Sequence, residues 1–327
     1  MKISSNDYIR GGTQKDYYSE DEVIQCDCPL CESNNYKLIT KERGNLGVVQ
    51  CNNCDLIYVN PRLKEPEKIY WGDGNKYFEE AKLIFEGKKG SHRDNNYIHD
   101  LKIIKKFKPI GRFLDIGTNM GFFLRKAQNF NWELFGVEPS PILSEMARKY
   151  FNLNVKTSFL ENSEFESDYF DIITMIDIFE HITNPNEFLK EVYRILKNDG
   201  ILFIKVPNGN YNKLKFKIST LLKKRENYDL FDSYEHVIHY TKKTITKMLS
   251  KNNFNIKKIL ISPPVQVPVW HHYVGHYYLY PSPICLDLKH FILRKLFYWI
   301  GILEYYLSLK QLLNFGSSIS VIAYKKL

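Results

Sequence analysis

Four cysteines stand in two tight pairs, Cys28-Pro-Leu-Cys31 and Cys51-Asn-Asn-Cys54. Each Cys-x-x-Cys makes a turn that aims two thiolates at one point. Two such turns supply the four sulfurs that zinc takes in a closed tetrahedral site. Five of the six cysteines lie between residues 26 and 54, a clustering that in a reducing compartment favours metal over disulfides. The set contains no histidine and leaves no open coordination position, so the expected ion is a structural zinc on Cys28, Cys31, Cys51 and Cys54. Cys26 is left out by its spacing, and Cys285 reads as a small buried apolar residue.

A second constellation follows in Phe113-Leu-Asp-Ile-Gly-Thr-Asn-Met-Gly-Phe-Phe123. Asp115-x-Gly117-x-x-x-Gly121 closes an apolar run and opens a helical one, and glycines there let the backbone come close to a ligand at a helix N-terminus. Glu138 stands at the end of the next apolar run, where a carboxylate accepts hydrogen bonds from both ribose hydroxyls of an adenosine. The dinucleotide fingerprint Gly-x-Gly-x-x-Gly is absent. Loop and carboxylate together point to a nucleoside-bearing ligand in preference to a purely structural turn.

Such groups need a scaffold, and the chain is long enough for one α/β domain with smaller additions. Residues 1–25 read as a polar arm and 26–62 as a zinc ribbon, with a short alternating stretch Tyr36–Thr40, turns at Gly44 and Gly47, and Val48-Val49 leading into the second cysteine pair. Residues 63–109 read as a helical linker, in which Ile98, Leu101, Ile104 and Phe107 recur at spacings of three. From Arg112 strands alternate with helices. Strands are expected at 112–116, 133–138, 154–158, 170–176 and 201–206, and helices from about 121, 141, 186 and 241. Phe254–Ile261 and Ser318–Lys325 supply two more strands. This alternation implies a doubly wound, mostly parallel sheet with helices on both faces, a Rossmann-like α/β fold. Ser140-Pro141 fits an N-cap with proline at N1, and Asp199-Gly200 fits a helix stop before Ile201–Ile204.

With these residues in place, residues 110–261 resemble the class I S-adenosylmethionine-dependent methyltransferases. The resemblance implies a seven-stranded sheet with the last strand antiparallel. It places Asp115 by the methionine portion of S-adenosylmethionine, runs the loop Gly117, Thr118, Asn119, Met120 and Gly121 under the cofactor, and gives Glu138, followed by Pro139, the ribose. The chain departs from the commoner Asp-x-Gly-x-Gly-x-Gly at Asn119, and Asn tolerates a left-handed backbone. The stretch Phe170-Asp-Ile-Ile-Thr-Met-Ile-Asp-Ile-Phe-Glu-His-Ile-Thr-Asn-Pro185 matches a subset of these enzymes. There Asp177 lines the methionine end, and Glu180-His181 faces the acceptor. Val206-Pro-Asn208 and Glu235-His-Val-Ile-His-Tyr-Thr241 are further matches. Members of the subset carry a similar zinc module and serve bacterial sugar or natural-product modification.

An imidazole titrates near neutrality, so His181 is a candidate general base, oriented by Glu180 or another carboxylate; a histidine satisfied within the fold is the competing reading. His239 and Asn208 carry the same double reading. Tyr77, with Tyr70, is placed over the cofactor or else in packing, and Trp270-His-His-Tyr273 along an acceptor pocket or else in an interfacial loop. The expected activity is methyl transfer to a small-molecule acceptor, a sugar or nucleotide-linked sugar leading, with O-methylation favoured.

Two rivals follow from composition. A formal charge of +9 suits a polyanion and hence an RNA methyltransferase, but the lysines are scattered and no Asn-Pro-Pro-Tyr-type pocket follows the fourth strand, which argues against nucleic acid. A non-catalytic assembly protein on a degenerate scaffold is opposed by the intact Asp115, Gly117, Gly121 and Glu138. The N-terminus has no apolar h-region, and no run approaches the roughly eighteen apolar residues of a spanning helix, so a cytoplasmic protein is expected. The aromatic-rich segment 264–316 reads as an insertion building an acceptor pocket or a homodimer contact, in preference to peripheral membrane contact through an interfacial helix.

Overall fold

The structure is a computed structural model that describes residues 17–66, 81, 84–86, 93–221, 229–262 and 318–326. Tyr70, Tyr77, Trp270–Tyr273, Cys285 and the segment 264–316 lie outside the described residues.

The N-terminal unit is a small β structure. Strand β1 (Val23–Ile24) pairs with a later strand, and β2 (Tyr36–Glu42), β3 (Leu46–Cys51) and β4 (Ile57–Val59) form an antiparallel meander. The partner of β1 is β5 (Arg62–Leu63), so residues 23–24 are tied to the far end of the ribbon. Helix α1 (Asp94–Phe107) follows. Its buried face is Tyr97, Leu101 and Ile104 together with Asn96 and Asp100, while Ile98 and Phe107 are half-buried. Leu101 and Ile104 of the three-residue spacing lie on that face, while Ile98 and Phe107 drift toward its edge because an α-helix advances 3.6 residues per turn; Asp100 joins the face through its bond to Lys205.

The main sheet contains β6 (Gly111–Ile116), β7 (Trp132–Glu138), β8 (Val155–Thr157), β9 (Phe170–Ile176), β10 (Leu196–Pro207), β12 (Phe254–Ser262) and β13 (Ser318–Lys325). Their order across the sheet is β12-β13-β10-β9-β6-β7-β8. Pairings among β8, β7, β6, β9 and β10 are parallel, and β13 runs antiparallel to both neighbours. This is the Rossmann-like, mostly parallel sheet expected from the alternation, with the seven strands and antiparallel last strand that the resemblance implies.

Six of the seven residues of β9 are buried, as a central parallel strand covered on both faces requires. Helices α2 (Phe122–Ala127), α3 (Pro141–Phe151) and α4 (Pro185–Ile195) cross over between strands. Ser140 caps α3 by accepting from Leu143 N with Pro141 at N1. Helix α4 buries Phe188, Leu189, Val192 and Ile195 against the sheet, each such side chain contributing about 1.5–3 kcal/mol.

Two elements differ from the sequence expectation. Strand β10 begins at Leu196, directly after α4, and Asp199-Gly200 lies within it. The pairing with β9 shifts between Leu196 and Ile201, so the extra residues are absorbed by an irregularity in the strand. Helix α5 (Gly209–Leu221) was not expected; its Gly-Asn start hides it, and Asn208 caps it by accepting from Asn210 N at 3.1 Å. Beyond it come the short β11 (Ile238–His239) and α6 (Lys242–Lys251), the latter with a capping box between Thr241 and Thr244.

Strand β11 pairs antiparallel with β4, so the ribbon sheet is four-stranded, in the order β11-β4-β3-β2. The same core cluster holds Cys28, Leu30, Val49 and Tyr58 from the ribbon and Phe188, Ile245 and Met248 from α4 and α6. Ribbon and main sheet therefore share one core. No helix among the described residues is long and apolar enough to cross a membrane.

Candidate active site

Strands β6, β7 and β9 end side by side. Because chain order reverses between β6 and its two neighbours, their carboxyl ends open a crevice at a topological switch point, where ligands bind in open α/β sheets. At the end of β6, Asp115 is buried and accepts from Thr174 Oγ1 at 2.6 Å. Burial pushes its carboxyl up from an ordinary value near 3.8 to about 7, with the Thr174 hydrogen bond acting the other way.

The loop then turns through three left-handed residues, Gly117 (φ 67°), Asn119 (φ 52°) and Gly121 (φ 83°). Gly117 is required on two counts: its φ, and a Cβ there would come within 2.3 Å of Ile178 Cδ1. Asn119 occupies the left-handed position that the sequence assigned to it, and its Oδ1 accepts from Met120 N at 2.7 Å.

Glu138 ends β7 as a latch on this loop. Its Oε2 accepts from Asn119 N at 2.8 Å and its Oε1 from Ser140 N at 3.0 Å. Burial raises its pKa. A carboxylate offers about four lone-pair sites, so two remain for the vicinal hydroxyls of a ribose. Pro139 is half-buried beside it. Met120 differs from the rest: its side chain packs with Ala81 and Leu143, which leaves only its backbone to a ligand.

Past the end of β9, Asp177 adopts a left-handed backbone (φ 54°) and pairs with Arg93 Nη1 at 2.7 Å. The next turn, Phe179–His181, carries Glu180 and His181. Glu180 is 1% exposed, and both its carboxylate oxygens lack a hydrogen-bond partner among the described residues. Burial, and then the charge of Asp177, holds its pKa well above the carboxylate range. His181 bonds through Nδ1 to the Glu235 carbonyl at 2.8 Å, which makes Nδ1 the donor, and its Nε2 stands 3.9 Å from Glu180 Oε1.

The loop before β11 adds His236, whose ring lies 4.8 Å from that of His181. His239 stands 6.4 Å further behind His236, fully buried with Nε2 unpartnered among the described residues. Burial, followed by the charges of Lys215 and His181, lowers its pKa to about 3, so it is a neutral ring of low basicity.

The cysteine knot lies on the other side of the ribbon sheet. Cys28 Sγ and Cys54 Sγ are 3.4 Å apart, and Cys31 Sγ and Cys51 Sγ are 3.5 Å apart. All four are free thiols gathered at one point. The separations are far beyond a disulfide bond and close to the edge of a tetrahedron built on zinc–sulfur bonds of about 2.3 Å. The donor set and geometry fit a closed zinc site. Left-handed Glu32 and Asp55 close the two knuckles by donating to Cys28 O and Cys51 O.

The sequence therefore placed Asp115, Gly117, Thr118, Asn119, Gly121, Glu138, Pro139 and Asp177 in one region, and Glu180 with His181 beside it. It missed Arg93, Glu235 and His236 as members of the site. Arg93 carries no local motif and reaches Asp177 only through the fold; His236 was visible within the stretch 235–241 but was passed over for His239. A cavity of about 350 Å³ lies between the ribbon and α4, lined by residues including Cys26, Arg62, Asn186 and Ile238. None of its lining belongs to the glycine loop or contains Glu180, so it is separate from this chemistry.

A seven-stranded sheet of this order with a glycine loop and a carboxylate latch at its switch point defines a class of nucleoside-cofactor proteins. The profile of a methyltransferase-domain family matches residues 90–259, over half of the chain, and the chain belongs to that family. It is 30% identical over 129 residues to the ubiquinone biosynthesis O-methyltransferase of Pelagibacter ubique (strain HTCC1062), covering 38% of this chain and 54% of the relative. It is 29% identical over 139 residues to phosphoethanolamine N-methyltransferase 2 of Caenorhabditis elegans, covering 39% of this chain and 32% of the relative. The chain thus spans about half the length, or less, of these curated relatives. Among solved structures it is similar to a chain of the complex between the Trm112 methyltransferase activator and a methyltransferase from Haloferax volcanii. The TM-score is 0.50 at 14% identity, over 76% of this chain and 96% of the other, a likeness of fold.

Proposed function

We propose that this chain is an S-adenosylmethionine-dependent methyltransferase acting on a small polar acceptor, a sugar or nucleotide-linked sugar leading, with a structural zinc in the ribbon. The observation that carries the cofactor is the Glu138 carboxylate, which fixes the glycine loop through Asn119 N and keeps lone pairs for ribose hydroxyls. When bound, the cofactor supplies an electrophilic methyl group on a sulfonium. The chain's own residues hold and align: Asp115 and Asp177 present carboxylates to the cationic methionine end, and the left-handed loop admits the nucleoside close to the backbone. Tyr77 and the segment 264–316 remain assigned to the cofactor and to the acceptor pocket or a dimer contact, as the sequence suggests.

Acceptor polarity is supported by the wall opposite. A buried carboxylate with both oxygens unpartnered, beside two imidazoles, suits an acceptor rich in hydroxyls and is wasteful for an apolar one. The two named relatives methylate oxygen and nitrogen respectively, so family membership leaves the acceptor atom open. O-methylation is favoured by His181, whose Nε2 is held as a proton acceptor by the Nδ1 bond to Glu235 O. His239 fits a supporting role, since its low basicity suits it poorly to accept a proton near neutrality.

Transfer of label from methyl-labelled S-adenosylmethionine to a panel of nucleotide sugars tests the reading. His181→Ala should lower turnover by about a hundredfold while cofactor affinity stays within twofold or so. Label in RNA but in no sugar would overturn the acceptor class.

A further inference from the structure

Glu180, His181 and His236 place one potential ligand atom each within 4.8 Å of one another. We propose that they form a second metal site, distinct from the cysteine knot, that takes a divalent transition-metal cation. Through its open positions the cation holds oxygen atoms of the acceptor. That last clause rests on the methyltransferase reading; the site itself does not.

Three separate observations point to a cation. Glu180 is 1% exposed and neither of its oxygens has a hydrogen-bond partner among the described residues, although His181 Nε2 stands 3.9 Å from Oε1. A carboxylate in that position costs free energy unless a cation or donor meets it. His181 donates Nδ1–H to the Glu235 carbonyl at 2.8 Å, the kind of outer bond that fixes the tautomer of a metal-ligating histidine. The second imidazole comes from a different loop, with the His236 ring 4.8 Å from the His181 ring and its two nitrogens 4.0 Å from Asp232 Oδ2 and 3.9 Å from Glu235 Oε1.

The donor set narrows the ion. Two imidazoles and one carboxylate suit zinc, iron(II), cobalt(II) or manganese(II) better than a cation that prefers an all-oxygen shell. Three protein ligands also leave positions open, in contrast to the closed tetrathiolate. The candidate ligand atoms lie within 4.8 Å of one another, against roughly 3–3.5 Å between ligands on one ion. A bound ion would take up the His181 lone pair and would itself acidify a coordinated acceptor hydroxyl; without the ion His181 keeps the proton-acceptor role of the proposed function.

The test is cobalt(II) titration of the zinc-loaded full-length protein, with visible spectra, proton NMR and metal stoichiometry after gel filtration. The expected result is two metals per chain: zinc on the thiolates, and cobalt with weak d–d bands, no thiolate charge-transfer band and two hyperfine-shifted imidazole N–H resonances. Glu180→Gln and His236→Ala should each weaken cobalt binding at least tenfold while the zinc stays at one per chain. A single metal per chain at saturating cobalt, absence of shifted imidazole resonances, or unchanged cobalt binding in both variants would overturn the site. The wild-type spectra decide the matter even where a variant fails to fold. Calorimetry with S-adenosylhomocysteine on the same sample reads the cofactor cleft independently: cobalt bound without the nucleoside keeps the cation site and removes the methyltransferase reading.

Discussion

Asp115 couples the cleft to pH. Burial raises its folded-state pKa from near 3.8 to about 7. The stability it contributes is therefore fully present below pH 3.8 and is lost as pH rises through about 7, because the unfolded chain releases the proton first. A cationic cofactor next to the carboxylate reverses this preference. Affinity for S-adenosylmethionine should rise between pH 6 and 8, and near pH 7 binding should release a fraction of a proton per site. Calorimetry in two buffers of different ionisation enthalpy measures that release. Asp115→Asn, which keeps an oxygen for the Thr174 hydroxyl, should abolish it; an unchanged proton release in the variant would remove Asp115 from the linkage.

Among the elements, the ribbon braces the loop that carries Glu235 and His236. Glu42 at the end of β2 accepts from Leu230 N, Phe231 N and Ser233 N at 3.0, 3.0 and 3.1 Å, which pins the loop leading to Glu235 and His236. Glu42→Ala leaves three backbone donors unmet, two of them buried, and should cost at least about 2 kcal/mol, read by denaturant unfolding. Turnover should fall with little change in cofactor affinity, since Glu138 and the glycine loop lie elsewhere. A variant with lost cofactor binding and normal turnover would contradict the brace.

The pH trend of Glu42 has the same sign as that of Asp115: burial raises its pKa to about 7, so its contribution is present below about 4.5 and lost through 7. The thermal midpoint should decline from pH 5 to 8, less steeply in Glu42→Gln. The cysteine knot anchors the far side of the same sheet. Cys51→Ser should lose zinc and loosen the ribbon, whereas Cys26→Ser, whose thiol lies 3.6 Å from Val59 O outside the knot, should keep one zinc per chain by elemental analysis.

For the whole molecule, the sheet was legible because its parallel strands are continuous apolar runs ended by turn residues. Phe170–Ile176 was read to the residue, and β6, β7, β12 and β13 to within one. The cofactor side was legible for a related reason: Asp115, Gly117, Gly121 and Glu138 sit at strand ends fixed by chain order. What the sequence hid depends on contacts far apart in the chain. Strand β11 is two residues long and exists only because Ile57 and Tyr58 pair with it, and this pairing is what sets His236 against His181. Arg93 meets Asp177 across 84 positions, and Asp100 meets Lys205 across 105, pairings that no local pattern announces. The start of β10 was misread because Asp-Gly breaks a strand as readily as it ends a helix.

In the proposed function the cleft at the ends of β6 and β7 holds a nucleoside through Glu138. Isothermal titration of S-adenosylhomocysteine into the zinc-loaded full-length protein tests it most directly. One site per chain with micromolar affinity is expected. Glu138→Ala, which loses the ribose bonds and the latch on Asn119 together, should weaken that affinity by about 1.5–3 kcal/mol, tenfold to roughly a hundredfold. Absence of binding by the wild-type protein, or equal affinity in wild type and Glu138→Ala, would contradict the account.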